Sequence, residues 1–161
     1  MKYGKIILVC IAILLIISTF AGCAASKEVD FEESSVTIGE NSSDYEGVEI
    51  EIVNAHYEEG LKLDIKWSNN TEHLVTYGEW FVIEKETDGQ WIRCQANKMD
   101  FPEIAYVLVS DSHATRTYDI SEYYKISQAG KYRLCTECYI QQGDEKSTPC
   151  ILSAEFELEL V

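Results

Sequence analysis

The sequence predicts an all-β protein, an antiparallel β-sandwich of about seven strands preceded by an apolar amino-terminal segment and an acidic linker. Three observations lead to this prediction. After residue 47, apolar and polar residues alternate through most of the chain, turn residues separate the alternating runs at short intervals, and no window has the period of an amphipathic helix. The length of 161 residues corresponds to about one ordinary domain.

Residues 1–22 have the composition of an export signal and not of a folded element. Lys2 and Lys5 supply positive charge at the start, and residues 6–21 are apolar with few interruptions. That run is slightly shorter than the roughly 20 residues needed to span a membrane as a helix. It ends in Ala21-Gly22-Cys23, where small residues leave room for a peptidase before a cysteine.

This ending resembles the lipobox of bacterial lipoproteins, although Phe20 stands where leucine is usual. The resemblance implies that Cys23 receives a diacylglycerol, becomes the first mature residue and anchors the chain to the extracytoplasmic face of the cell membrane. Two acyl chains hold a protein far better than one, because each buried CH₂ contributes about 0.8 kcal/mol. An uncleaved anchor and an ordinary secretory signal are the alternatives, and both also export the rest of the chain.

Residues 23–46 are rich in Ser, Glu, Asp and Gly and follow neither the helical nor the strand period. We expect this stretch to be a flexible, acidic tether between the lipid and a folded domain over residues 47–161. Its apolar side chains are too sparse for a core, and a short strand near Val36-Thr37-Ile38 is the alternative.

The chain carries a net charge of −15, and removal of residues 1–22 leaves 11 basic and 28 acidic residues, a net charge of −17. This charge repels phosphate backbones, which argues against nucleic acid as a partner. It also repels an anionic membrane surface, so the lipid on Cys23 must supply the membrane attachment.

The alternating runs 48–52 and 61–67 predict two half-buried strands joined at Glu58-Glu59-Gly60. Residues 80–84 have apolar side chains on both faces, which indicates a central strand, and Asp88-Gly89 after it is a strong hairpin signal. Further strands are predicted over residues 90–95, 105–109, 116–120, 130–140 and 150–161. Short strands separated by turns favour an antiparallel sandwich.

Residues 126–134 resemble a tyrosine corner, in which a tyrosine hydroxyl bonds to the backbone upstream and fixes a crossover between sheets. Tyr132 would be that tyrosine, and Gly130 permits the bend before it. The alternative is a tyrosine that is simply part of a strand.

Four segments together resemble a bacterial immunoglobulin-like (Ig-like) domain family, which occurs in secreted and surface proteins of Gram-positive bacteria. These segments are Tyr77 to Glu84, Asp88 to Trp91, Gly130 to Arg133, and Ala154 to Phe156. Ala129 departs from the family, which usually has a proline before the glycine. The resemblance covers most of the chain after residue 47, implies an Ig-like sandwich, and implies no particular ligand or site residue.

Four cysteines follow Cys23, and an exported compartment permits disulfides. Cys138 and Cys150 lie at equal distances from the centre of the last predicted hairpin, so we expect them to face each other and form a cross-strand disulfide. Cys94 and Cys135 either form a second pair or stay as free thiols.

Cys135-Thr136-Glu137-Cys138 is a CxxC sequence, and a thiol-redox or metal-binding lipoprotein that uses Cys135 and Cys138 is therefore an alternative function. A redox CxxC normally begins a helix, which lowers the pKa of its thiol. Here the motif lies in a predicted strand that points the two cysteines to opposite faces, and a zinc site usually needs a second close pair. We expect no metal and no cofactor.

No HExxH, GxSxG, P-loop or GxGxxG motif occurs in the sequence. Ser110-Asp111-Ser112-His113 has the residue types of a catalytic triad, but adjacent residues do not generally converge on one reacting atom, so we interpret it as a turn. Asp111, Asp119 and Glu122 are an alternative calcium site that lacks EF-hand spacing. We expect the protein not to be an enzyme.

The leading hypothesis is a membrane-anchored, non-catalytic module that binds or spaces an unknown protein, peptide or glycan at the cell surface. Tyr123-Tyr124 and the other tyrosines suit a contact surface, since Tyr and Trp are enriched where proteins touch partners. The alternative is an inhibitor of an extracellular protease or similar enzyme that acts through a sandwich loop.

Overall fold

The computed structural model describes residues 35–57, 60–143 and 146–159, which form two antiparallel β-sheets packed face to face. The strands are β1 (Ser35–Ser43), β2 (Val48–His56), β3 (Lys62–Asn69), β4 (Leu74–Thr87), β5 (Gln90–Arg93), β6 (Tyr106–Leu108), β7 (Ser112–Asp119), β8 (Gly130–Gln142) and β9 (Lys146–Glu159). One turn of helix, α1 (Ile120–Tyr123), follows β7. Within the described residues no helix is long and apolar enough to cross a membrane. The predicted export signal and Cys23 lie outside them.

The larger sheet has the strand order β1-β9-β8-β4-β5, with β6 also paired to β4, and the smaller sheet has the order β2-β3-β7. The chain passes from one sheet to the other after β1, β3, β6 and β7. This arrangement confirms the predicted antiparallel Ig-like sandwich. The described residues form nine strands, where the sequence predicts about seven.

β1 changes the predicted domain boundary. The sequence predicts a flexible tether over residues 23–46, but Ser35–Ser43 form a strand that pairs with β9. β1 is the edge of the larger sheet, and its Ile38 side chain is 48% exposed. An edge strand of this kind is held by its backbone ladder and needs little apolar pattern, so the folded part begins before residue 47. Residues 24–34 of the tether lie outside the described residues.

The core lies between the two sheets, as the alternation along the strands requires. Trp67 on β3 is fully buried, and its ring stacks on that of Tyr77 from β4 with centroids 4.0 Å apart, so this pair joins the sheets. Phe81, Val82 and Ile83 are all buried, which confirms β4 as a central strand. Each fully buried large apolar side chain stabilises the fold by roughly 1.5–3 kcal/mol.

Asp88 and Gly89 form the two-residue turn between β4 and β5, as predicted. Both residues have positive φ, 52° and 76°, which a type I′ turn requires and which matches the twist of the flanking strands. Glycine adopts this conformation without steric cost, and aspartate is among the few other residues that tolerate it. The predicted turn residues Glu58 and Glu59 lie outside the described residues.

Tyr132 fixes the crossover that leads into β8. Its hydroxyl donates a hydrogen bond of 2.7 Å to the backbone carbonyl of Gln128, which is the upstream bond that a tyrosine corner requires. Gly130 has a φ of 141°, a conformation that side-chain-bearing residues rarely adopt. Burial raises the pKa of Tyr132 to about 12, so the hydroxyl keeps its proton at neutral pH and remains a donor.

Candidate functional site

The two cysteines of the last hairpin face each other. β8 and β9 pair Cys138 directly with Cys150, and both residues are fully buried in the core. The predicted register is therefore confirmed, while both residues are free thiols in the structure and the disulfide stays a prediction. Directly opposite residues in antiparallel strands have Cα atoms about 4.5–5.5 Å apart, a separation that a disulfide accepts.

The hydrogen bond between these thiols makes them unequal. It is the largest cause that raises the pKa of Cys138, and burial raises that pKa further. The same hydrogen bond lowers the pKa of Cys150, whose Sγ also lies 3.8 Å from the hydroxyl of Ser43. Because both thiols are fully buried, neither is exposed to solvent as a free nucleophile.

The CxxC sequence does not form a joint site. Cys135 points to the outer face of the larger sheet, opposite Val82 on β4, whereas Cys138 points into the core. Burial raises the pKa of Cys135 to about 11, which keeps this thiol protonated and unreactive at neutral pH. Cys94 packs against the core and is also a free thiol, so it and Cys135 lie on different faces of the sheet.

The carboxylates of the alternative calcium site are not brought together. Asp111 directly precedes β7 and Asp119 is its last residue, so eight residues at about 3.3 Å each place them roughly 26 Å apart. Asp119 caps α1 by accepting a hydrogen bond of 3.0 Å from the backbone of Glu122, and Glu122 pairs with Lys98 at 2.7 Å. This calcium alternative is therefore wrong. Across the described residues, no group of three or more His, Cys, Asp or Glu side chains could hold a metal ion.

The serine-rich segment before β7 is a turn, as interpreted from the sequence. The hydroxyl of Ser110 donates to the carbonyl of Thr71 over 2.7 Å, and that of Ser112 donates to the carbonyl of Val109 over 2.6 Å. Both hydroxyls thus satisfy backbone acceptors. His113 is exposed on β7 and not in the turn itself.

A cleft of about 200 Å³ lies on the outer face of the larger sheet and was not predicted from the sequence. We call it the outer-face cleft, and its lining residues are Thr76, Tyr77, Gly78, Trp80, Ile104, Ala105, Glu137 and Tyr139. They come from β4, from β8 and from the segment before β6. Ile104 and Tyr139 are 47% and 41% exposed, so the cleft is open to solvent.

A bulge in β4 produces this cleft. Between the pairs Tyr77–Cys138 and Phe81–Thr136, β4 has two more residues than β8. The hydroxyl of Thr136 donates a 2.7 Å hydrogen bond to the backbone carbonyl of Trp80 and thereby holds the bulge. Because the insertion is two residues long, the in–out alternation of β4 stays in phase, and the sequence pattern continues through it without a break.

Gly78 lies in this bulge and allows the segment before β6 to approach β4 closely. A β-carbon at this position would lie 3.0 Å from the carbonyl oxygen of Ile104. A glycine inside a strand pattern is a known sign of a bulge or of close backbone contact. It is the signal from which the outer-face cleft could have been predicted.

The sheet order, the crossovers and the hydrogen bond of Tyr132 define the class of protein, an Ig-like β-sandwich. A family model for the bacterial Ig-like domain matches residues 44–157, more than half of the chain. The chain therefore belongs to the bacterial Ig-like domain family, whose members are typically non-catalytic. A comparison with curated proteins gave no match.

Proposed function

We propose that the protein is an extracytoplasmic lipoprotein, anchored to the cell membrane by a diacylglycerol on Cys23, whose Ig-like domain is a non-catalytic binding or spacer module. The lipid anchor is supported by the sequence Ala21-Gly22-Cys23 at the end of the apolar run 6–21. Membership of the bacterial Ig-like domain family supports the non-catalytic role.

The position of β1 limits how far the domain extends from the membrane. Residues 24–34 separate Cys23 from the first described strand, and a chain of that length reaches at most about 40 Å. This spacer is shorter than the tether predicted from the sequence. The net charge of −17 for the mature chain gives the domain no attraction of its own to an anionic surface.

The alternative functions receive less support from the fold. Thiol-redox or metal chemistry by the CxxC sequence is disfavoured, because Cys135 and Cys138 point to opposite faces of β8. Inhibition of an extracellular protease stays a prediction from the sequence, and no contact among the described residues favours it.

The test uses two cysteines of the precursor. In bacterial cells supplied with an alkyne-bearing fatty acid, the unmodified protein should be labelled and recovered with membranes. Cys23→Ala should lose the label and either accumulate as precursor or leave the membrane. Cys10→Ala, the matched control in the apolar run, should behave like the unmodified protein. Labelled, membrane-bound Cys23→Ala would refute the proposed anchor.

A further inference from the structure

The outer-face cleft is lined mainly by aromatic and apolar surface. Trp80 from β4 and Tyr139 from β8 contribute aromatic rings from neighbouring strands. Ile104 and Ala105 add apolar surface from the segment before β6. The face of an aromatic ring carries negative charge density, and it attracts a cation that comes within about 6 Å of the ring centre.

Glu137 is the one charged residue among the lining residues of this cleft. The hydroxyl of Tyr139 donates a 3.3 Å hydrogen bond to its carboxylate, and no cationic side chain in the described part of the chain pairs with it. By contrast, Glu84 on the same outer face receives the Nε of Arg133 at 2.7 Å. The cleft therefore combines aromatic faces with a carboxylate that lacks a counter-charge.

The same lining distinguishes between kinds of cation. A primary ammonium group has three N–H donors, each of which needs an acceptor when it leaves water. The lining side chains with acceptor oxygens are those of Glu137, Thr76 and the two tyrosines, and the hydroxyl of Tyr139 already donates to Glu137. A quaternary ammonium group has no N–H donors and loses no hydrogen bond on entering. Aromatic faces attract the charge of either cation but do not replace the hydrogen bonds that N–H donors make with water, so a methylated cation loses less than a lysine-like one on entering the cleft.

The volume of the cleft fits a group of this size. A cavity of about 150 Å³ in another protein binds benzene. The outer-face cleft has about 200 Å³, which leaves room for a trimethylammonium head and the start of the chain that bears it. Because the cleft opens to solvent beside Tyr139, that chain can extend outward.

We propose that the outer-face cleft binds a quaternary ammonium group of the kind found in choline, with Trp80 and Tyr139 facing the cation and Glu137 supplying the counter-charge. This proposal rests on the binding role proposed above and names the class of ligand that the domain binds. It does not depend on the lipid at Cys23.

The first test is a calorimetric titration of the full chain, purified in a maltoside detergent. Choline should bind, and 3,3-dimethylbutan-1-ol, its neutral isostere, should bind roughly tenfold more weakly because it lacks the charge. Butylammonium should also bind more weakly than choline. No choline binding, or equal binding of either analogue, would overturn the proposal. A titration with phosphocholine distinguishes two sources of the quaternary ammonium group. If phosphocholine binds as tightly as choline, the ligand is a phosphocholine headgroup. If it binds more weakly than choline, the ligand has no phosphate.

The second test changes the lining residues. Glu137→Gln and Tyr139→Leu should each weaken choline binding roughly fivefold or more, and circular dichroism should show that both retain the fold. Glu49→Gln removes the same charge from an exposed position on β2 and should leave binding within about twofold. Equal binding by all three variants would refute the assigned site. Fatty-acid labelling of Cys23 in the same preparations reports the anchor separately, so the two proposals can fail independently.

Discussion

Cys138 lies directly across the β8–β9 ladder from Cys150, and neither residue has exposed surface. The pair joins two strands that already form the longest ladder of the larger sheet, from Gly130↔Leu158 to Gln142↔Lys146 without a register shift. A covalent bond here would therefore lock an existing register and would not create a new one.

We expect protein recovered from outside the cytoplasm to contain this disulfide. It would close a short loop, and so its stabilisation would be on the order of 3 kcal/mol. The measurement is peptide mapping after alkylation of the unfolded, non-reduced chain, in which Cys138 and Cys150 should resist alkylation. Cys94 and Cys135 should be alkylated, because they lie on different faces of the sheet. Alkylation of all four cysteines without reductant would contradict this prediction.

Tyr132→Phe should destabilise the domain by about 1 kcal/mol, because it removes the hydrogen bond to Gln128 while keeping the buried ring. Urea unfolding should show a lower midpoint with an unchanged slope. Tyr139→Phe is the matched control, since that hydroxyl belongs to a side chain that is 41% exposed, and it should change stability by less than about 0.5 kcal/mol. Equal effects of the two variants would count against a tyrosine corner.

Asp64 on β3 should make the stability of the domain depend on pH. Burial by itself would raise the pKa of Asp64, but hydrogen bonds with Thr117 at 2.6 Å and His56 at 2.7 Å outweigh it and lower this pKa. A carboxylate with a lowered folded-state pKa contributes stability above its unfolded pKa, near 3.9, and loses it as the pH falls through the folded value.

Thr117→Val should therefore reduce the free energy of unfolding near pH 7 by roughly 0.2–1 kcal/mol, and this deficit should disappear as the pH falls below the unfolded-state pKa, near 3.9, and through the lowered folded-state pKa. Urea unfolding across that pH range measures it. Thr115→Val, an exposed neighbour on the same face of β7, is the control and should show no such pH-dependent deficit. A deficit for Thr117→Val that stays constant down to low pH would exclude Asp64 as its cause.

Arg116 on β7 should stabilise the edge of the sandwich mainly because its guanidinium stacks on an aromatic ring, and less because of its charge. Its guanidinium lies 3.7 Å from the ring centre of Tyr106. Arg116→Met and Arg116→Lys should both cost about 1–2 kcal/mol in thermal or urea unfolding, because neither has the planar guanidinium. Full stability of Arg116→Lys would show that charge alone suffices. Arg93→Met, at an exposed position on β5, should be nearly neutral.

Much of the fold could be predicted because this sandwich buries one face of most strands. The alternation that buries Trp67 also sets its register, and Asp88-Gly89 specifies its turn locally. The pairing of Cys138 with Cys150 followed from their equal distances to the hairpin centre. In each of these cases the residues that interact lie on one strand or in one hairpin, so the local sequence pattern is enough to predict the contact.

The features that were missed have no periodic signature. β1 is an edge strand held by backbone hydrogen bonds, so its sparse apolar residues resembled those of a linker. The bulge before Phe81 inserts two residues and leaves the alternation in phase, so only Gly78 marked it. The outer-face cleft also depends on Glu137 and Ile104, which are distant in sequence and meet only after β4 and β8 pair.

Mass spectrometry of the amino-terminal peptide from membrane-extracted protein is the most direct test of the proposed lipoprotein. We expect a chain that begins at Cys23, with the mass of a diacylglycerol added to that residue and none added at the later cysteines. A chain that retains residues 1–22, or one that begins at Cys23 without a lipid, would contradict this expectation.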